Sequence, residues 1–185
     1  DNGGNHQLYR NWFDHYFALG GDCDVIGLSY YPFWHGTLEE LAANMNDIAP
    51  RYGKDLVIAE VSMGFTMESY APFEQLDSHN RKGAATRTDL AAKVPFPMTP
   101  QGQADFTKAM LEVLRCVPEG KGRGFFWWEP AWLPVPGSGW AKKSGWEYVH
   151  EKGPGGNEWA NQALFDFRGN ALPALRIIAQ VCAKI

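Results

Sequence analysis

The sequence predicts an α/β protein, part of a barrel of parallel strands that are each followed by a helix. Three observations carry that expectation. Helix-like and strand-like segments follow one another in the order α, β, α, β, α, β, α, as in a parallel sheet covered by helices. The strand-like segments, such as "VIGLSY" (25–30) and "LVIAE" (56–60), are continuous apolar runs rather than alternating ones, which is how strands buried on both faces read. The long loops follow the second and third strands while helix-to-strand connections are short. That distribution suits an eightfold βα barrel, whose function sits at the strand C-termini. A doubly wound nucleotide-binding sheet would carry a glycine-rich turn, and neither G-x-G-x-x-G nor a P-loop is present.

Each element has its own warrant. His6 to Leu19 sets Leu8, Trp12, Phe13, Tyr16, Phe17 and Leu19 at helical spacing and stops at Gly20-Gly21. Val25 to Tyr30 reads as a strand halted by Pro32. Thr37 to Tyr52 opens on the capping box Thr37-Leu-Glu-Glu40 and closes before Gly53. Leu56 to Glu60 is the second strand, followed by an irregular stretch from Ser62 to Met98. Thr99-Pro100 starts a helix whose rhythm runs through Phe106, Met110, Leu111 and Leu114 to Pro118. "GRGFFWWEP" (122–130) is the third strand, a long Gly/Trp loop follows, and Leu172 to Ala183 is the last helix. Three strands cannot close a barrel, and an open sheet would expose pairing edges. The expectation is therefore one partial barrel over 1–185, about the last three and a half of eight units, with "DNGGN" the loop after a strand that precedes residue 1.

Composition narrows the partners. At 185 residues with 45% hydrophobic residues the chain can bury a substantial core. A net charge of -4 without a basic block argues against nucleic acid or an anionic membrane as partner and for a neutral one. No apolar run approaches the roughly 20 residues of a membrane span. Cys23, Cys116 and Cys182, an odd number without metal-type spacing, read as buried thiols. Aromatics are abundant: of eight tryptophans, five lie between Trp127 and Trp146 among Gly and Pro, too crowded on a surface segment to be all core.

Four stretches can carry chemistry. Glu60 closes an apolar strand, where barrel enzymes keep nucleophiles and bases; an ion pair or an exposed strand end would look the same. In "SYYPFWHG" (29–36), Tyr30 or Tyr31 could hold a neighbouring carboxylate ionised by a hydrogen bond, while Trp34 and His35 face a polar ligand; the alternative is a packed aromatic turn. In "FFWWEPAWLPVPGSGW" (125–140), Trp128, Trp132 and Trp140 could stack on sugar rings. Trp127 points inward in this reading, and Glu129 accepts backbone N–H groups rather than acting as a second acid. "DSHN" (77–80) offers oxygen ligands to calcium or is merely a turn.

These segments in order, "DVIGLSYYPFWHGTLEELAANMNDIAPRYGKDLVIAEVS", "GFFWWEPAWLPV" and "NQALFDFRGNALPAL", with "DNGGN" before them, closely resemble the endo-β-1,4-galactanases of glycoside hydrolase family 53 over nearly the whole chain. The resemblance implies a (β/α)8 barrel with glutamates at the ends of strands four and seven, entered here in the loop after strand five. Glu60 then matches the nucleophile, and the acid/base glutamate precedes residue 1. It places Tyr30 or Tyr31 and His35 near the scissile sugar and Trp128 beneath it, with Asp1, Asn2 and Trp140 as flanking contacts. Some relatives bind calcium through an Asp-x-Asp-x-His-x-Asn run, of which Asp77 and His79 keep the spacing; no cofactor is required. The implied substrate is galactan or a galacto-oligosaccharide outside the cytoplasm (extracellular, periplasmic or at the cell surface). The implied protein partner is the preceding half of the barrel or a second copy. A non-catalytic sugar-binding or assembly unit, or a related mannanase or xylanase, are the competing readings.

Overall fold

The computed structural model describes residues 2–68, 87–134, 142–149 and 156–182. In chain order the elements are α1 (His6–Ala18), β1 (Val25–Tyr30), α2 (Leu38–Tyr52), β2 (Asp55–Val61), α3 (Thr88–Ala91), α4 (Pro100–Arg115), β3 (Gly122–Trp127), α5 (Lys143–Tyr148) and α6 (Pro173–Cys182). Short 3-10 turns occupy Pro118–Gly120 and Gly156–Gln162. The helix starts follow from their caps. Asn5 accepts from the Leu8 N–H, Thr37 and Glu40 form a reciprocal capping box, and Thr99 accepts from Gly102 N. Gly53, at φ 66, closes α2 in the left-handed conformation that other residues rarely adopt.

The strands form one parallel sheet in the order β1-β2-β3. Its register carries a consequence for the site. Leu28 lies opposite Ile58 but Ser29 lies opposite Glu60, so the pairing skips Ala59. Such bulges bend the strand and re-aim side chains at functional rims.

One face of the sheet is the core. Ile26, Leu28, Leu56 and Ile58 are buried together with Leu41, Met45 and Ile48 of α2 and Phe106, Met110 and Leu114 of α4. Phe106 is fully buried, with its ring 6.3 Å from Tyr30 and 5.7 Å from Phe96. Phe106→Ala is therefore expected to cost about 3–5 kcal/mol, read by denaturant unfolding. The residues that alternate with the core, Val25, Gly27 and Ala59, are exposed, as is Phe126 of β3. In a closed barrel such positions face the axis.

Several boundaries differ from expectation. β2 is one residue longer at each end, so Glu60 is its penultimate residue. The stretches read as loops hold α3, α5 and the turn at Gly156–Gln162; α3 and α5 lack side-chain caps, so their starts carried no signal. Cys116 is exposed, not buried, because it sits just past the end of α4 beside the Glu112–Arg115 pair. Among the described residues no helix is long and apolar enough to cross a membrane.

Candidate active site

The C-terminal rim of the sheet is built as a row. Asn2 pairs in parallel with Ser29, and Ser29 pairs with Glu60. Gly3 N donates to Ser29 O at 2.8 Å, and the buried Asn44 of α2 holds Gly3 O at 2.7 Å. The second glycine of "DNGGN" permits this approach, since a Cβ on Gly4 would collide with the His35 carbonyl. On the far side Trp128 N donates to Val61 O at 2.8 Å, which brings that indole to the same rim.

Between the two tyrosines the strand geometry decides. Side chains alternate along β1, so Tyr30 turns toward the helices, stacks on Phe106 and donates to Gly36 O at 3.0 Å. It does not reach the rim, which corrects its assignment to the site. Tyr31 follows the strand and donates its hydroxyl to Glu60 Oε2 at 2.9 Å. Burial, followed by the bond and charge of Glu60, pushes the Tyr31 phenol well above its ordinary range, so it remains a donor.

His35 Nδ1 lies 2.9 Å from Ser29 O. A carbonyl can only accept, so Nδ1 carries the proton and Nε2 is the basic nitrogen. The Tyr31 N–H also comes within 3.2 Å of Nδ1, but a protonated nitrogen cannot accept it, and the shorter contact fixes the tautomer. Burial holds the ring below the ordinary histidine range, hence neutral at neutral pH.

Aromatic rings complete the walls. Trp34, 42% exposed, meets Tyr31 edge-on at 5.7 Å. Trp159, from the turn Gly156–Gln162, lies 5.9 Å from Tyr31 and 6.5 Å from Trp128. With Ser29, His35 and Glu60 these rings line an open cleft of about 400 Å³. Its chemistry is one carboxylate with a fixed phenol donor, a neutral imidazole and indole faces suited to the C–H face of a sugar.

The structure thus brings together Asn2, Tyr31, His35, Glu60 and Trp128 of the expected set. Trp132 is half-buried but does not line this cleft. Trp127 points inward as expected and donates to Gln162 O. Glu129 sits at φ 52, and burial raises its carboxyl. Asp1, Asp77, His79 and Trp140 lie outside the described residues. Among those described, no group of three or more His, Cys, Asp or Glu side chains could hold a metal ion. Sequence reasoning missed Trp159, which stands just before "NQALFDF".

The profile of glycosyl hydrolase family 53 matches residues 1–178. An uncharacterized protein from the bgaB 5' region of Niallia circulans is 38% identical over 172 residues, 93% of this chain and 41% of that protein. The endo-β-1,4-galactanase of Bacillus subtilis strain 168 is 37% identical over 174 residues, 84% of this chain and 38% of that protein. Among solved structures, the GH53 catalytic domain of Ignisphaera aggregans superposes with a TM-score of 0.78 at 31% identity, over 96% of this chain and 44% of that one. The chain therefore spans less than half the length of each of these three relatives.

Proposed function

The chain belongs to glycosyl hydrolase family 53, and from that membership we propose that it supplies the nucleophile half of an endo-β-1,4-galactanase barrel. The barrel is entered in the loop after strand five. The observation that carries the reading is the Tyr31 to Glu60 hydrogen bond at the sheet rim, between the "DNGGN" loop and Trp128.

In this reading the galactan lies across the strand ends with one galactose ring on Trp128. Tyr31 holds Oε2 of Glu60, leaving Oε1 to attack the anomeric carbon as the glycosidic C–O bond breaks. A carboxylic acid roughly 5 Å away, as retaining enzymes require, gives its proton to the leaving oxygen. That acid comes from the preceding half of the barrel. The same residue then takes a proton from water, whose oxygen attacks the anomeric carbon and frees Glu60. His35, neutral and with Nε2 unprotonated, offers an acceptor to a sugar hydroxyl. The polymer meets the enzyme outside the cytoplasm.

The test offers the completed barrel three polymers: β-1,4-galactan, β-1,4-xylan and β-1,4-mannan. Reducing ends are expected from galactan alone. Release from xylan or mannan but not galactan overturns the substrate, and binding without release on any polymer favours a sugar-binding module.

A further inference from the structure

Beneath the cleft lies a buried polar junction that the reaction itself does not use. Gln103 of α4, fully buried, donates its amide to Met63 O at 2.8 Å and to Ala163 O at 2.9 Å. Gln162, also fully buried, accepts the Ser62 hydroxyl on Oε1 at 2.9 Å, and its backbone carbonyl accepts Trp127 Nε1 at 2.9 Å. Two backbone bonds, Phe65 N to Asn161 O at 2.9 Å and Leu164 N to Pro130 O at 2.8 Å, fasten the same four-residue segment to both neighbours.

The positions joined are not arbitrary. Ser62 and Met63 follow Glu60 by two and three residues, Trp127 precedes Trp128, and Gln162 ends the turn that carries Trp159. Trp159 in turn packs on Tyr31 and Trp128, and Tyr31 holds Glu60. Buried hydrogen bonds in a low-dielectric interior are directional and admit few alternative arrangements. Two loops of unrelated sequence are thereby locked in one register.

We infer that Gln162 and Gln103 are positioning residues: they set where Glu60 and the Trp128–Trp159 pair stand relative to each other. The inference rests on the galactanase reading for its catalytic consequence and on geometry alone for its structural one. Neither glutamine touches the cleft, so neither is a catalytic residue.

The test uses Gln162→Met, which keeps volume but removes the acceptor of Ser62, and Ser62→Ala, which removes only the hydroxyl. Near-UV circular dichroism of the unliganded protein reads the tryptophan pair without substrate. On the completed barrel, kcat and KM for galactan are measured well below the melting temperature. Expected are a reduced tryptophan signal and a kcat lowered about ten- to a hundredfold, as small misplacements of reacting groups cause, with KM changed far less. The double variant should lose no more than Gln162→Met alone, because both remove one interaction. If Gln162→Met does not fold, Ser62→Ala carries the test. A lowered melting temperature with unchanged near-UV signal overturns the inference whatever the substrate. If galactan is not turned over by the unaltered barrel, the galactanase reading fails while the spectroscopic comparison still decides this one.

Discussion

Glu60→Gln in the completed barrel is expected to lower galactan turnover by at least about 10⁴-fold, the scale on which loss of a nucleophile acts in other hydrolases, with galactan binding kept. The amide has the shape of the carboxylate and its carbonyl oxygen can still accept the Tyr31 hydroxyl that now lies 2.9 Å from Oε2. The cleft walls of Tyr31, Trp34, Trp128 and Trp159 are untouched. What disappears is the ability to form an ester at the anomeric carbon. Initial rates and titration of tryptophan fluorescence with galactotetraose separate the two quantities. A finer check distinguishes nucleophile from acid. In Glu60→Ala, azide can enter the space left by the side chain and displace an activated leaving group from an aryl galactoside. Its attack from the nucleophile's face yields the α-galactosyl azide; the β-azide would assign Glu60 the acid's role instead. Turnover near the unaltered level would remove Glu60 from the chemistry altogether.

Much of this site was legible because its signals are local. The apolar run of β2 ending near a single carboxylate placed Glu60 at the rim, and the capping box at Thr37 fixed where α2 begins and hence how short the "SYYPFWHG" loop must be. The choice between Tyr30 and Tyr31 was not legible from periodicity alone. It depends on which face of β1 meets α4, and Tyr30 lies on the face packed against Phe106. The bulge that skips Ala59 was equally hidden, because the cross-strand partner, Ser29, lies about thirty residues away, and pairing register is a tertiary property. Trp159 reached the cleft because its neighbours Gln162 and Ala163 are bonded to Ser62, Trp127 and Gln103, contacts whose sequence separations leave no local pattern. Glu129, read beside Pro130 as an acceptor of backbone N–H groups, gave no sign of its backbone: it holds a left-handed conformation next to Trp128, with a carboxyl raised by burial. Such strain collects near functional sites.

The second large effect concerns the open side of the sheet. The chain alone is expected to show no galactan turnover above background, and mixing it with a fragment holding the first strands of a family barrel is expected to restore it. The physical reason is that the three-stranded sheet of the described residues is open at both edges. Among the described residues no strand pairs with the outer edge of β1, which is met by Asn2 and Gly3 at Ser29 and by the Tyr9 hydroxyl at Gly27 O, and the opposite face presents Val25 at 45% and Phe126 at 65% exposure. Trp12 and Leu8 of α1 are also exposed, around a hollow of about 230 Å³ that runs to Gly27 on the same edge. Unpaired edges and exposed apolar surface favour association with a complementary sheet, and a closed barrel is the arrangement that pairs every strand. Activity should therefore saturate with the concentration of the complementing fragment, and sedimentation should show a one-to-one complex over the same range. A complementing fragment whose own strand-end glutamate is replaced by glutamine should form that complex and stay inactive, because closing the barrel and supplying the proton donor are separate contributions. A second copy of this chain could cover the same edges but would bring a second Glu60 rather than a distinct acid. Turnover by such a homodimer, at a rate tracking its own concentration, would show that the proton donor lies within this chain, and Glu129 would be the first carboxyl to replace.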